Sequence, residues 1–281
     1  MKKRNRFGIF TLVLILSLCG CTQDKIPISS SSDVQKEQDT LPEAEITPEE
    51  EPFLYGYQNL NEEEKTRYRQ ILAGIENYED SVTVEVCSEE EINKVSNLVF
   101  VDHPEIFWLE QQNYSFNQKE NSDVDLLELN LVYNMGKDEI EDTKQQIEAK
   151  AEEWSQELSN CENEYDKIKY VYEFLGKNVL YDSESENNQN IQSVFLNQST
   201  VCMGFAKATQ YLLVRNGIFC TLVTGKVIPE NMEHAWNLVR IGENYYYVDT
   251  TWSSSGFVPE EDSIQDFSYT YLCCTAQTLE R

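Results

Sequence analysis

The sequence contains little positive charge and very little histidine. It has 22 lysine and arginine residues against 50 aspartate and glutamate residues, which gives a formal net charge of −28. A nucleic-acid-binding protein needs a basic surface that displaces counterions, so this composition argues against nucleic acid as a partner. With only two histidines, His103 and His234, few residues can serve as an imidazole base in a catalytic site.

The eight cysteines form no CxxC pair and show no metal-ligand spacing, so the sequence predicts no metal site and implies no cofactor. Their pairing as disulfides cannot be read from the sequence. Cys220 and one of Cys273 and Cys274 are expected to be small buried hydrophobic residues. His103 precedes Pro104 at a predicted helix end, a position typical of a turn or packing residue.

Residues 1–21 have the features of a lipoprotein signal peptide. A cationic head precedes the apolar run Phe7 to Leu18, which is too short to span a bilayer stably. The run ends in Leu-Cys-Gly-Cys, which resembles a bacterial lipobox and predicts lipidation of Cys21. Two acyl chains would then anchor the protein at the outer face of the cell membrane, in an extracytoplasmic location. A secretory signal cut elsewhere and an uncleaved anchor are the alternatives.

The rest of the chain divides into three predicted regions. Residues 22–52 are rich in Ser, Pro, Glu and Asp, which predicts a disordered tether. Residues 53–160 mix helical and strand patterns and are expected to form a small α+β N-terminal domain. Residues 161–281 are expected to form a second domain, which holds the residues suited to catalysis. Its predicted elements are a helix over Cys202–Asn216, a strand over Ile218–Gly225, a hairpin of His234–Ile241 with Tyr245–Trp252, and a final strand over Phe267–Thr275.

Cys202 falls at the start of its predicted helix. Unpaired backbone amides and the helix macrodipole favour a thiolate at that position, and the thiolate is the reactive form of cysteine. For one cysteine taken alone, a buried structural role is the ordinary alternative.

The predicted hairpin brings His234 and Asp249 together. Gly242 at the first turn position suits a two-residue type II′ loop, which pairs Ile241 with Asn244. His234 and Asp249 then share one face as diagonal neighbours, close enough for an imidazole to reach a carboxylate. Taken singly, a core histidine and a solvated acid at a strand end are the alternatives.

Three separated motifs resemble those of the transglutaminase-like superfamily, which has a papain-like fold. They are Val-Cys-Met-Gly-Phe-Ala around Cys202, His-Ala-Trp-Asn from His234, and Tyr-Tyr-Val-Asp-Thr-Thr-Trp around Asp249. The resemblance implies an α+β core in which the helix that bears the nucleophile packs on an antiparallel sheet. It also implies that Cys202 is the nucleophile, His234 the base and later acid, and Asp249 the group that orients the imidazole.

The resemblance suggests further site residues. A glutamine that lies before the cysteine often serves as an oxyanion donor in this family, and Gln189 fits that place best, with Gln192 and Gln198 nearby. Trp236 and Trp252 are predicted to wall the substrate cleft, although core packing is an equal alternative for one of them.

The sequence therefore predicts a lipid-anchored thiol acyl-transfer enzyme that acts on a peptide or protein substrate, with cell-wall peptide as one candidate. Hydrolysis of peptide or carboxamide bonds is favoured because water is abundant at a cell surface. Transfer to an amine is the first alternative, and a catalytically silent module that binds a peptide or partner is the second. A structural or assembly protein, in which residues 53–160 perform the function and the core is a scaffold, is the third.

Overall fold

The computed structural model describes residues 41–110, 115–120, 125–228, 231–253 and 267–279. These residues fall in one compact unit, whose hydrophobic core includes side chains from Leu54 to Val248. The predicted boundary between residues 160 and 161 lies inside this unit, and Trp154 stacks on Phe195 across it, with ring centroids 4.9 Å apart. The predicted signal peptide, including Cys21, lies outside the described residues.

The first half of the described chain combines helices with a three-stranded sheet. Helix α2 begins with a capping box, in which Asn61 and Glu64 each accept the other's backbone N–H, and Ser88 caps α3. The strand order is β1-β3-β2, with antiparallel pairs. The elements are α1 (Tyr55–Gln58), α2 (Glu62–Glu76), β1 (Ser81–Glu85), α3 (Glu89–Asp102), β2 (Ser115–Glu120), β3 (Asp125–Asn130) and α4 (Lys137–Ser155).

The C-terminal end of the predicted tether is ordered. Glu43 forms an ion pair with Arg69 of α2 at 2.8 Å, and the N–H of Ala44 donates to the Arg69 carbonyl at 2.9 Å. Ala44 and Ile46 also pack against the core. The prediction of a disordered tether over 22–52 is therefore wrong for residues 41–52, because contacts with Arg69 of α2 and with the core hold this end of the segment in place.

The second half contains the nucleophile helix and an antiparallel sheet of order β6-β7-β8. Two short strands, β4 and β5, pair in parallel beside them. The elements are α5 (Glu164–Asn178), β4 (Leu180–Tyr181), β5 (Ser199–Thr200), α6 (Cys202–Arg215), β6 (Cys220–Val227), β7 (Met232–Ile241), β8 (Asn244–Val248) and α7 (Ala276–Leu279).

The β7–β8 hairpin has the predicted register. Ile241 pairs with Asn244, and Gly242 has a φ of 58°, as a tight hairpin turn requires. The ladder ends at Val248, earlier than predicted. The next residue, Asp249, donates its N–H to the carbonyl of Tyr271, and Thr250–Ser253 forms a 3₁₀ helix.

The predicted final strand over Phe267–Thr275 is not a regular strand. Its ladder is a single bridge, in which Tyr247 and Cys274 exchange two hydrogen bonds of 2.9 Å. The preceding residues turn, and Cys273 has a φ of 51°. A left-handed residue interrupts the extended backbone that a longer ladder needs.

Helix α6 packs against β6 and β7, with one long face buried. The buried face includes Phe205, Ala206, Thr209, Leu212 and Leu213. The predicted α+β core, with the nucleophile helix on an antiparallel sheet, is confirmed.

Within the described residues, no helix combines the length and apolar character needed to cross a membrane.

Candidate functional site

Cys202 is the first residue of α6 and is half-buried. Val201 precedes it in extended conformation, so the helix starts abruptly at the cysteine. Gly204 allows the preceding loop to lie close against the first turn. A Cβ there would fall 1.9 Å from Thr200 Oγ1 and 3.1 Å from the Asn188 carbonyl oxygen. The thiol therefore lies beside the unpaired amides at the helix start.

His234 and Asp249 are in direct contact. The Nε2 atom of His234 lies 2.7 Å from Asp249 Oδ2, and both side chains are buried. The other carboxylate oxygen of Asp249 accepts the backbone N–H of Thr251 at 3.1 Å. The carboxylate is thus held from both ends and fixes the plane of the imidazole.

The indole N–H of Trp252 also lies 2.9 Å from His234 Nε2. One nitrogen cannot donate to Asp249 and accept from Trp252 at once. A protonated Nε2 therefore donates to Asp249, whereas an unprotonated Nε2 accepts from Trp252.

The thiol and the imidazole form a coupled pair. Burial by itself raises the pKa of Cys202. The hydrogen bond to His234, its positive charge and the backbone N–H groups of Ala235 and Met203 outweigh this effect, so the pKa is lowered below its ordinary value. Burial lowers the pKa of His234, but Asp249 and Cys202 raise it to about 9. Each group therefore favours the charged form of the other, a thiolate beside an imidazolium.

Two buried hydrogen bonds tie the three elements of the site together. Asn237 on β7 donates to the carbonyl of Ala206 on α6 at 3.0 Å. Thr209 on α6 and Thr250, directly after Asp249, share a hydrogen bond of 2.9 Å. These contacts fix α6 to both the strand that bears His234 and the turn that follows Asp249. Asn237 and Thr250 lie within the sequence motifs, but the residue pattern alone gives no sign of this role.

Trp236 and Trp252 both contact the imidazole. Trp236 stacks on His234 with ring centroids 5.7 Å apart, and Trp252 meets it edge-on at 5.8 Å. Gly225 on the neighbouring strand makes room, because a Cβ there would lie 2.6 Å from the Trp236 ring. Both predicted cleft residues are half-buried beside the candidate base.

Gln189, the predicted oxyanion donor, is exposed, and its amide donates to Asn188 Oδ1 at 3.0 Å. Tyr181 of β4 was not among the predicted site residues. It lies close enough to Cys202 for the charge of the thiolate to affect the ionisation of the tyrosine. Burial and the charge of Cys202 both raise the pKa of Tyr181.

The remaining described cysteines are free thiols in other surroundings: Cys87, Cys161, Cys220, Cys273 and Cys274. Cys220 and Cys274 are buried, as predicted. Burial raises the pKa of Cys220 well above its ordinary value. His103 is the C-cap residue of α3, and its Nδ1 lies 2.8 Å from Glu105 Oε1, so it stands at the helix end where the sequence placed it. Among the described residues, no group of three or more His, Cys, Asp or Glu side chains could hold a metal ion.

Residues 152–250 match the model of the Transglutaminase-like superfamily, and the chain therefore contains a transglutaminase-like core. This range holds Cys202, His234 and Asp249. The confirmed family resemblance thus covers the part of the chain in which these three side chains meet.

Individual relatives are distant. The chain is 24% identical over 127 residues to the Kyphoscoliosis peptidase of Mus musculus, a match that covers 40% of this chain and 19% of that protein. A TGase crystal structure aligns at 15% identity and a TM-score of 0.36, covering 67% of this chain and 54% of the other. A proposed cysteine protease from Cytophaga hutchinsonii aligns at 17% identity and a TM-score of 0.34, covering 50% and 62%.

Proposed function

We propose that this protein is a thiol acyl-transfer enzyme that acts on peptide or carboxamide bonds through Cys202, His234 and Asp249, and that hydrolysis is its main reaction. The observation that carries the proposal is the 2.7 Å contact between His234 and Asp249, with Cys202 as a further partner of the same imidazole. A transglutaminase-like core is the setting in which this chemistry is expected.

In the first half of the reaction, the Cys202 thiolate attacks the carbonyl carbon and forms a C–S bond. The electron pair of the C=O bond moves onto oxygen. Backbone N–H groups at the start of α6 have no acceptor within the helix and can donate hydrogen bonds to this oxyanion. Collapse of this intermediate breaks the C–N bond, and the His234 imidazolium gives its proton to the leaving amine. A thioester remains on Cys202.

In the second half, neutral His234 takes a proton from water as the water attacks the thioester. The C–S bond then breaks, which releases the acid product and restores the thiolate–imidazolium pair of Cys202 and His234. A primary amine in place of water would give transamidation. Asp249 keeps the imidazole oriented in both halves and stabilises its charged form.

Mass spectrometry of the protein incubated with a peptide library, with and without a primary amine, tests the proposal. We expect cleavage products in both cases, absent with Cys202→Ala. Conjugates that form only with the amine would instead support transamidation. The lack of any change in peptide mass would favour a silent binding module.

Alkylation with iodoacetamide at mildly acidic pH separates a silent module from an enzyme without any substrate. We expect Cys202 to react much faster than Cys87 and Cys220. Equal, slow rates at all three cysteines would contradict the proposed activation of the thiol.

We also propose that the protein is an extracytoplasmic lipoprotein anchored through Cys21. The support is the lipobox-like sequence at the end of the apolar run. Replacement of Cys21 by serine should release the protein from isolated membranes into the soluble fraction. Unchanged partition would indicate an uncleaved signal that acts as a plain anchor.

A further inference from the structure

A cavity of about 800 Å³ opens beside the first two turns of α6. Met203, the residue directly after the candidate nucleophile, forms part of its wall, and so does Lys207 one turn later. The opposite wall comes from other parts of the chain. Its side chains include Phe107, Tyr133, Asn188 and Gln189.

Lys207 is a buried cation without a protein partner in the described part of the chain. Only 5% of the residue is exposed, and burial lowers the pKa of its ammonium group to about 8. Most of this group is therefore still charged at pH 7. Burial of a charge without an ion pair is costly, and such groups are usually paired or functional. A lysine without an acidic partner in the described structure is unusual for a chain with more than twice as many acidic as basic residues.

The helix geometry directs Lys207 toward the nucleophile end. Lys207 lies four residues after Met203 and so shares its face of α6. It lies five residues after Cys202, roughly 7.5 Å along the helix axis. Side chains of a helix lean toward its N-terminus, so we expect the long lysine chain to run in the direction of Met203.

The polar side chains around the cavity form hydrogen bonds with residues other than Lys207. The amides of Asn188 and Gln189 donate to Ser183 and Asn188, respectively. The hydroxyl of Tyr133 donates to the carbonyl of Glu79 at 2.7 Å. Glu110, the acidic residue among the wall residues, is exposed and forms no ion pair with Lys207 in the described structure.

We propose that this cavity is a carboxylate subsite, in which Lys207 binds a carboxylate of the acyl substrate while the reacting carbonyl lies at Cys202. The proposal rests on the proposed function and narrows it to peptides that carry a carboxylate near the bond attacked. Two sources supply this group, namely a free peptide C-terminus and an acidic side chain.

Binding to the Cys202→Ala variant, which cannot turn over a substrate, is the first test. The probes are acetylated tetrapeptide libraries with a free C-terminus or a C-terminal amide, each with glutamate or glutamine at an internal position. We expect carboxylate peptides to bind roughly tenfold tighter than their neutral partners, the effect of one charge-assisted hydrogen bond. The free C-terminus and the glutamate series identify which carboxylate is used.

The second test adds Lys207→Met or Lys207→Gln to Cys202→Ala. Either change should remove the preference for carboxylate peptides. The matched control is Lys150→Met on α4, whose lysine pairs with Glu153 at 3.0 Å, and it should keep the preference. Circular dichroism checks that each variant is folded.

Equal binding of carboxylate and neutral peptides to the Cys202→Ala variant, which keeps Lys207, would by itself contradict the proposed subsite. A preference that survives both Lys207 variants would overturn it as well. These readouts do not require turnover. A carboxylate preference without cleavage by the wild type would therefore count against the proposed reaction alone, whereas cleavage without the preference would count against the subsite alone.

Discussion

Cys202 and Cys220 lie one helix apart, at the start of α6 and the start of β6, yet their thiols are in opposite electrostatic settings. Cys202 faces an imidazole and two backbone N–H groups, which lower its pKa despite burial. Cys220 is fully buried among apolar neighbours, and burial raises its pKa well above the ordinary value. The comparison shows that burial alone raises the pKa of a thiol, whereas a nearby cation and amide donors reverse that shift.

The largest difference should appear when each cysteine is replaced by alanine. Cys202→Ala should reduce peptide cleavage to the background rate, because no other described thiol has a lowered pKa. Cys220→Ala should retain cleavage and lose only about 1 kcal/mol of unfolding free energy through lost packing. Steady-state cleavage assays and urea unfolding measure the two effects. Activity in folded Cys202→Ala would contradict the assignment.

Removal of the His234 imidazole should bring the reactivity of the Cys202 thiol closer to that of Cys220. We expect His234→Ala to reduce kcat/KM on the order of 10⁴-fold, since it removes both the base and the cation. Alkylation of Cys202 at pH 6 should slow on the order of 100-fold, because an unperturbed thiol is mostly protonated there. The rate at Cys220 serves as the internal control and should not change.

Loss of the Asp249 carboxylate should reduce the activity of the Cys202–His234 pair without abolishing it. With Asp249→Ala, the imidazole keeps its place on β7 but loses the 2.7 Å contact that stabilises its charged form. We expect a fall in kcat/KM on the order of 100-fold, smaller than for His234→Ala. NMR titration of the His234 ring should show a lower pKa than in the wild type. An unchanged pKa would mean that Asp249 does not act on the imidazole.

The pH dependence should distinguish the two cysteines in the wild type. Cys202 has a lowered pKa, so its thiolate persists as the pH falls below the usual thiol range. His234 has a pKa raised to about 9, so the imidazolium is present below that pH and is lost as the pH rises through it. Cleavage should follow a bell-shaped profile with its alkaline limb near pH 9. Alkylation of Cys220 should rise only at high pH, and a shared profile would break the contrast.

The smallest effect should come from a residue that holds the site together. Asn237→Ala removes the 3.0 Å hydrogen bond from β7 to α6 and leaves the Ala206 carbonyl without that donor. We expect a loss of roughly 1–3 kcal/mol in unfolding free energy and a modest fall in kcat. Asn216→Ala, which removes a hydrogen bond from the Asn216 amide to Leu212 at the other end of α6, is the control and should leave kcat unchanged.

Local patterns were sufficient to predict the helix that begins at Cys202 and the register of the β7–β8 hairpin. Both depend on neighbouring residues: helical spacing in the first case and a glycine turn in the second. The three motifs identified the residues that meet in the candidate site. They also gave the confirmed core, because each motif combines a reactive side chain with the small or apolar residues that position it.

Other features depended on contacts between distant segments. The strand predicted over Phe267–Thr275 is reduced to one bridge by turns that the alternation of its side chains does not reveal. The predicted tether fails over residues 41–52 for the same reason, since its anchor is Arg69 on another element. The helical pattern of α6 likewise gave no sign that Lys207 would be buried.

The sequence alone determined where the chain places a thiol, an imidazole and a carboxylate, because helix starts and hairpin registers are set by residues close along the chain. Only the tertiary structure decided which of these groups touch, in which direction their pKa values move, and that Lys207 is buried at the wall of a cavity. Burial and Coulomb interactions depend on separation in space, and folding sets that separation between residues far apart in the sequence.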